Sequence, residues 1–312
     1  MMSKALAGRD LLRLADLSPE EVALIIDTAL EEKAAWDAGV HDTPLAGTAV
    51  ALVFEKPSVR TRVSFEVACA RLGATPIVLS GSESAFSRGE TVADTARVLE
   101  RYCDAIVLRT FAHAKVEEVA QWAKVPVVNS LSDDHHPCQG LADLLTIREH
   151  LGKLEGVTFA YVGDGNNMAH TYLEAGALTG MDVRIACPEG FEPSAEIVAD
   201  AERIAAQTGA TVRVMRDPFD AVRGAQIVAA DTWASMGQEE EHAERLALFE
   251  PYRVDADLMA AAGQGALFMH CLPAHRGEEV TADVIDGPAS IVFDEAENRL
   301  HAQLALLKLL LG

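Results

Sequence analysis

Short apolar runs alternate with amphipathic segments along most of this chain, and the alternation predicts its architecture. Residues 49–54, Ala-Val-Ala-Leu-Val-Phe, are apolar throughout, the pattern of a strand buried on both faces. Residues 75–79, 105–109 and 125–129 repeat it, and residues 64–72, 91–102 and 116–122 carry helical spacing between them. Upstream, Leu17-Ser18-Pro19-Glu20-Glu21 is a helix-start signature. Ser18 serves as N-cap, Pro19 as the first helical residue and Glu21 as the reciprocal partner three residues on. Val22, Ile25, Ile26 and Ala29 then share one face. The helix over 64–72 is expected to stop at Gly73. A long helix over 140–150 separates this series from a second one. The second has strands expected at 157–162, 182–186, 211–215, 227–230, 267–269 and 290–293, with helices at 170–178 and 195–207. An apolar-rich helix over 297–311 follows, and no repeat of solenoid period is visible. The pattern predicts an α/β protein of two doubly wound parallel-sheet domains joined by a helix, with ligands at the carboxyl ends of strands.

Composition narrows the partners. At ~100–200 residues per domain the length fits two domains. The formal charge of −22 disfavours nucleic acid and anionic membrane surfaces. It also means that any anion site must be built locally, from a few arginines and backbone amides. No run of eighteen apolar residues exists, so no membrane helix is expected. The start of the chain reaches Asp10 before an apolar stretch forms, so no signal peptide is expected. The five cysteines (Cys69, Cys103, Cys138, Cys187 and Cys271) are scattered and form no CxxC pair, which fits reduced thiols in a cytoplasmic protein. No Cys/His set has the spacing of a zinc site, so no zinc site is expected.

Candidate chemistry concentrates first in Phe54-Glu55-Lys56-Pro57-Ser58-Val59-Arg60-Thr61-Arg62, which follows a strand and opens a helix. A helix start offers unpaired N–H groups and the positive end of its dipole. Ser58 and Thr61 add hydroxyls, and Arg60 adds a planar fork that can bind phosphate with two hydrogen bonds. A plain N-cap by Ser58 beside surface arginines is the simpler alternative. The strand–turn–helix setting and the second arginine favour an anion site.

The same segment resembles the carbamoyl-phosphate motif of the aspartate/ornithine carbamoyltransferase family, and further motifs follow in that family's order over nearly the whole chain. His135-His136-Pro137-Cys138-Gln139 is similar to its His-Pro-x-Gln segment, and Val162-Gly163-Asp164-Gly165-Asn166-Asn167-Met168 to its second-domain strand–loop–helix. Asp231-Thr232-Trp233-Ala234-Ser235-Met236-Gly237 resembles the loop that marks the ornithine branch. His270-Cys271-Leu272-Pro273 and Glu295-Ala296-Glu297-Asn298-Arg299 complete the set. The resemblance implies a carbamoyl-phosphate domain over residues 1–150 and an ornithine domain over 151–312, with the helix over 297–312 returning to pack on the first. It implies that Ser58, Val59, Arg60, Thr61, Arg109, His136, Gln139, Cys271, Leu272 and Arg299 bind carbamoyl phosphate. Of these, Arg60, Arg109, His136, Cys271 and Arg299 would take part in catalysis. Asn167, Asp231, Ser235 and Met236 would hold L-ornithine, Asp231 pairing with its α-ammonium. The implied reaction is direct attack of the amine to give L-citrulline and phosphate, with neither metal nor organic cofactor, in a homotrimer or a multiple of one.

Two positions depart from the family pattern. Val59 replaces a usual threonine, and Ala85, in the segment 81–90, stands where a glutamine that reaches a neighbouring subunit's site is common. Other readings compete. Aspartate, putrescine or an N-acylornithine are alternative acceptors, against which Ser235-Met236-Gly237 argues. Gly163-Asp164-Gly165 after a strand hints at a nicotinamide-dependent dehydrogenase, but Met168 stands where the third glycine of that fingerprint belongs. A non-catalytic paralogue is supported by Val59 and Ala85 alone.

Overall fold

Two parallel sheets organise the chain in the computed structural model, which describes residues 6–80, 89–233 and 242–312. The first sheet contains β1 (Ala49–Phe54), β2 (Thr75–Ser80), β3 (Ala105–Arg109) and β4 (Val127–Leu131), in the order β2-β1-β3-β4. The second contains β5 (Thr158–Val162), β6 (Asp182–Ala186), β7 (Thr211–Met215), β8 (Ile227–Ala230) and β9 (Leu267–His270), in the order β7-β6-β5-β8-β9. Winding reverses between β1 and β3 in one sheet and between β5 and β8 in the other. Crevices at the carboxyl ends of the strands open at such reversals.

The helices are α1 (Pro19–Asp37), α2 (Val59–Leu72), α3 (Val92–Leu99), α4 (His113–Trp122), α5 (Pro137–Leu151), α6 (Asn167–Thr179), α7 (Ala195–Thr208), α8 (Pro218–Val222), α9 (His242–Phe249), α10 (Ala256–Ala262), α11 (Ala282–Ile285) and α12 (Val292–Leu311). The chain divides into two compact units, residues 1–145 with 297–312 and residues 146–296, and it passes between them within α5 and at the start of α12. The last part of α12 belongs to the first unit. There Lys308 Nζ lies 2.5 Å from Glu32 Oε1, and Gly8 N–H donates to the Leu310 carbonyl.

Local chemistry explains most boundaries. Val50 to Phe54 are buried, as an apolar run in a central strand requires. Truncating one such side chain, Leu52→Ala, costs ~2–5 kcal/mol. The capping box at α1 forms as predicted: Glu21 N–H donates to Ser18 Oγ, and Ser18 N–H donates to Glu21 Oε2. α2 ends at Gly73 with φ 80°, where a Cβ would stand 2.7 Å from Thr43 Cβ. Three expectations need correction. α2 starts at Val59 rather than at residue 64, so the anion motif itself is helix. The stretch 290–293 is not a strand: Ser290 makes one bridge to Phe268, and α12 begins at Val292, well before residue 297. The connections after β7, β8 and β9 also hold the short helices α8 to α11, which the apolar pattern did not predict.

Candidate active site

In the first unit, the turn after β1 sets a polar cluster. Ser58 occupies the N-cap position of α2 in extended conformation, yet its side chain makes no capping hydrogen bond. The first-turn N–H groups of a helix lack intrahelical acceptors, and no acidic residue occupies this first turn. The helix start is therefore open to an anion. Val59 is 79% exposed, so its side chain takes no part in a buried contact, and Arg60 is exposed beside it. Thr61 points inward and is buried. Its Oγ1 accepts from Arg299 Nη2 at 3.0 Å. Nη1 of the same guanidinium donates to Gln139 Oε1 at 2.6 Å, and Gln139 Nε2 donates to Asp143 Oδ1 at 2.7 Å. One buried relay thus ties α2, α12 and α5 together.

Arg109 ends β3 and is 7% exposed. The β3–β4 register shifts between Leu108 and Arg109, and a local irregularity of this kind re-aims a side chain at a strand end. His136 lies just before α5, its carbonyl accepting from Gln139 N–H and Gly140 N–H. Burial, followed by the positive charges of Arg299, Arg109 and Arg60, holds the His136 pKa well below its ordinary value. The ring is neutral at physiological pH, able to donate from one nitrogen and accept at the other. Burial pushes the Cys138 thiol up to about 12, against the lowering effect of the Arg299 charge. Salt bridges brace the surrounding loops: Lys56 Nζ to Asp133 at 2.6 Å and Lys115 Nζ to Glu55 at 2.8 Å.

In the second unit, Asp231 follows β8 and gathers three donors. Its Oδ1 accepts from Thr232 N–H at 2.8 Å and lies 3.2 Å from Cys271 Sγ, while Oδ2 accepts from Asn166 Nδ2 at 2.9 Å. Asn166 also caps α6, its Oδ1 accepting from Met168 N–H and Ala169 N–H. Sequence reasoning chose Asn167, which is the first residue of α6. Asn166, one residue earlier, caps the helix and bonds Asp231, and an asparagine at a helix N-cap is the sequence signal for it. Cys271 is half-buried, whereas the other four cysteines are buried, and all five are free thiols. Leu272 follows with φ 56° and a cis bond to Pro273, its N–H donating to His270 Nδ1 at 2.8 Å. His270 Nε2 faces buried Glu279 Oε1 at 3.2 Å. Asp231, His270 and Cys271 each offer a potential metal donor, and these atoms lie within 4.8 Å of one another. Asp231 and Cys271 are paired with each other, and His270 Nδ1 accepts from Leu272 N–H.

The dehydrogenase hint loses its physical basis at Gly165. A Cβ there would stand 2.3 Å from Pro193 N and 2.5 Å from the Phe191 carbonyl oxygen, so this glycine makes room for the chain's own β6–α7 loop. Ser235 and Met236, with the rest of 234–241, lie outside the described residues, as does Ala85 with 81–88.

An uncapped helix start with arginines in one unit, and an Asp–Cys pair in the other, lie at the strand ends of a two-domain α/β protein. Residues 9–149 match the aspartate/ornithine carbamoyltransferase carbamoyl-P binding domain and residues 155–310 the Asp/Orn binding domain of the same family. The chain belongs to the aspartate/ornithine carbamoyltransferase family. It is 53% identical over 306 residues to the ornithine carbamoyltransferase of Anoxybacillus flavithermus, covering 98% of each chain. It is 56% identical over 306 residues to that of Clavibacter sepedonicus, covering 97% of this chain and 98% of that one. The solved ornithine carbamoyltransferase of Pyrococcus furiosus superposes with a TM-score of 0.96 at 52% identity, covering 98% of both chains.

Proposed function

We propose that this chain is an ornithine carbamoyltransferase, transferring the carbamoyl group of carbamoyl phosphate to the δ-amine of L-ornithine. The observation that carries the reading is the open start of α2, where Ser58 makes no cap and Thr61 instead accepts from the Arg299 guanidinium. In this reading the first unit holds the donor. Backbone amides at Ser58 to Thr61, with Arg60, take the phosphate. Arg109 and Arg299 face developing negative charge, neutral His136 donates toward the carbamoyl oxygen, and Gln139 contacts the carbamoyl amide.

The second unit holds the acceptor. Asp231 pairs with the α-ammonium, Asn167 and nearby loop groups reach the carboxylate, and Ser235 and Met236 contribute from their loop. Cys271 and Leu272 position the δ-amine and keep water from it. The amine attacks as the free base, so its pKa must fall in the site through desolvation. A C–N bond forms, the C–O bond to phosphate breaks with its electron pair on phosphate oxygen, and the amine gives up a proton. No covalent intermediate on the chain is required.

Membership of the family also underlies a proposed homotrimer. Val59, Val63 and Ile77 are exposed apolar side chains, the kind of surface that self-association covers. Light scattering should give three times the 33.4 kDa chain mass, or a multiple of that. Five free thiols fit a cytoplasmic location, and no helix among the described residues is long and apolar enough to cross a membrane.

The deciding experiment offers the purified protein carbamoyl phosphate with ornithine, aspartate, putrescine or N-acetylornithine in turn. Citrulline from ornithine alone is expected, and product from aspartate with none from ornithine would overturn the acceptor assignment. An Arg60→Ala variant is expected to lose most activity; full retention would show the phosphate site to be elsewhere.

A further inference from the structure

Arg245 lies outside every motif used so far, yet one of its nitrogens joins the two strand-end loops of the second sheet. Its Nη1 donates to Asp164 Oδ2 at 2.8 Å, in the loop after β5, and to the Trp233 carbonyl at 2.7 Å, in the segment after β8. Arg245 is 8% exposed. It lies 4.8 Å from the Phe191 ring centroid and 5.7 Å from that of Phe249, and those two rings meet edge to face at 5.0 Å. Phe191 is itself fixed, because its carbonyl accepts from Gly165 N–H at 2.9 Å. Asn166 lies two residues after Asp164, just before Asn167 opens α6, and Asp231 lies two residues before Trp233. The Asn166–Asp231 hydrogen bond at 2.9 Å spans the same gap.

We infer that Arg245 and Asp164 are positioning residues for the acceptor amino acid, setting the spacing between Asp231 and the helix start at Asn166 and Asn167 that meet it. The inference rests on the acceptor half of the function proposed above. Neither residue need touch the substrate. A planar guanidinium satisfies a carboxylate and a carbonyl while packing flat against aromatic rings, which an ammonium does less well. A buried Asp–Arg pair without such a task is weak evidence of stabilisation, whereas one that pins two binding loops has a geometric use.

The test compares wild type with Arg245→Met, Arg245→Lys and Asp164→Asn in steady-state citrulline formation, varying each substrate at saturation of the other. Binding of L-norvaline, which is ornithine without its terminal amine, is measured in parallel by calorimetry. Arg245→Met should raise the KM for ornithine at least tenfold and weaken norvaline binding to match, with the KM for carbamoyl phosphate within twofold of wild type. Arg245→Lys should recover part of the loss, and Asp164→Asn should act in the same direction as Arg245→Met with a non-additive double variant. Equal rises in both KM values, or an unchanged ornithine KM, would overturn the inference. Should Arg245→Met fail to fold, Asp164→Asn decides by the same criteria. Absence of citrulline from wild type would instead sink the acceptor assignment, so the two failures are distinguishable.

Discussion

Replacing Arg299 with methionine removes a planar cation from the centre of the first unit's relay while keeping an unbranched stem of similar reach. Two hydrogen bonds go, to Gln139 Oε1 at 2.6 Å and to Thr61 Oγ1 at 3.0 Å. Each joins a charged donor to a neutral acceptor, the kind worth ~1.5–3 kcal/mol. Thr61 and Gln139 are both about 1% exposed, so water does not readily replace the lost donor. A stability loss of ~2–6 kcal/mol is expected from two such acceptors, each left short by ~1–3 kcal/mol. The effect on rate comes from a different source. A preorganised donor facing developing negative charge contributes ~10²–10³ in kcat. Lysine at 299 can reach only one of the two acceptors well, so Arg299→Lys should fall between methionine and wild type. His136 supplies an internal reporter: Arg299 is the first of the charges that hold its pKa down, so the methionine variant must titrate His136 at higher pH than wild type. The assay is kcat and the KM for carbamoyl phosphate in folded variants, with imidazole resonances followed by NMR. A methionine variant within twofold of wild-type kcat/KM, or an unmoved His136 titration, would refute the role assigned to the guanidinium.

Three further outcomes follow from the geometry. Ser18→Ala should cost ~0.5–2 kcal/mol because it removes a formed N-cap, whereas Ser58→Ala, with no capping bond to lose, should leave thermal unfolding nearly unchanged while raising the KM for carbamoyl phosphate. Val59→Thr should leave that KM within twofold, since the 79% exposed side chain leaves the backbone as the contacting part; a large gain in affinity would show that a hydroxyl was missing. His136, His113 and His301 all have folded pKa values below the ordinary 6.5, chiefly through burial. The unfolded chain then binds more protons below that pH, so stability must rise with pH there and fall as pH drops beneath 6.5. Each histidine adds up to ~1.4 kcal/mol per pH unit, and His136→Gln should flatten the slope measured by denaturant unfolding between pH 6.5 and 5.

Strand positions were legible because apolar runs in central strands have no alternative environment. The expected limits of β1, β3, β6, β7 and β8 coincide with the observed ones. The Ser18 signature was legible for a similar reason, since both partners of the capping box lie within four residues. Chemistry assembled across the sequence was not. Arg245 and Asp164 are 81 positions apart, and no periodicity marks a buried ion pair. Asn166 and Asn167 are identical side chains in adjacent positions, and only the start of α6 tells which one caps and so turns toward Asp231. Residues 290–293 misled because Ile291 and Val292 suit a strand, yet the helix of α12 takes over at Val292 once Ser290 has made its one bridge.

The discontinuity of the first unit orders events during synthesis. Residues 146–296 form a contiguous unit, whereas the first unit requires residues 297–312 as well as 1–145. Domains made on the ribosome generally form in the order they emerge, at ~5–20 residues per second. Here the arginine that joins Thr61 to Gln139 is translated after the whole of the second unit. A nascent chain therefore carries an incomplete Thr61–Arg299–Gln139 relay until α12 emerges, and a chain stopped short of α12 could never complete it.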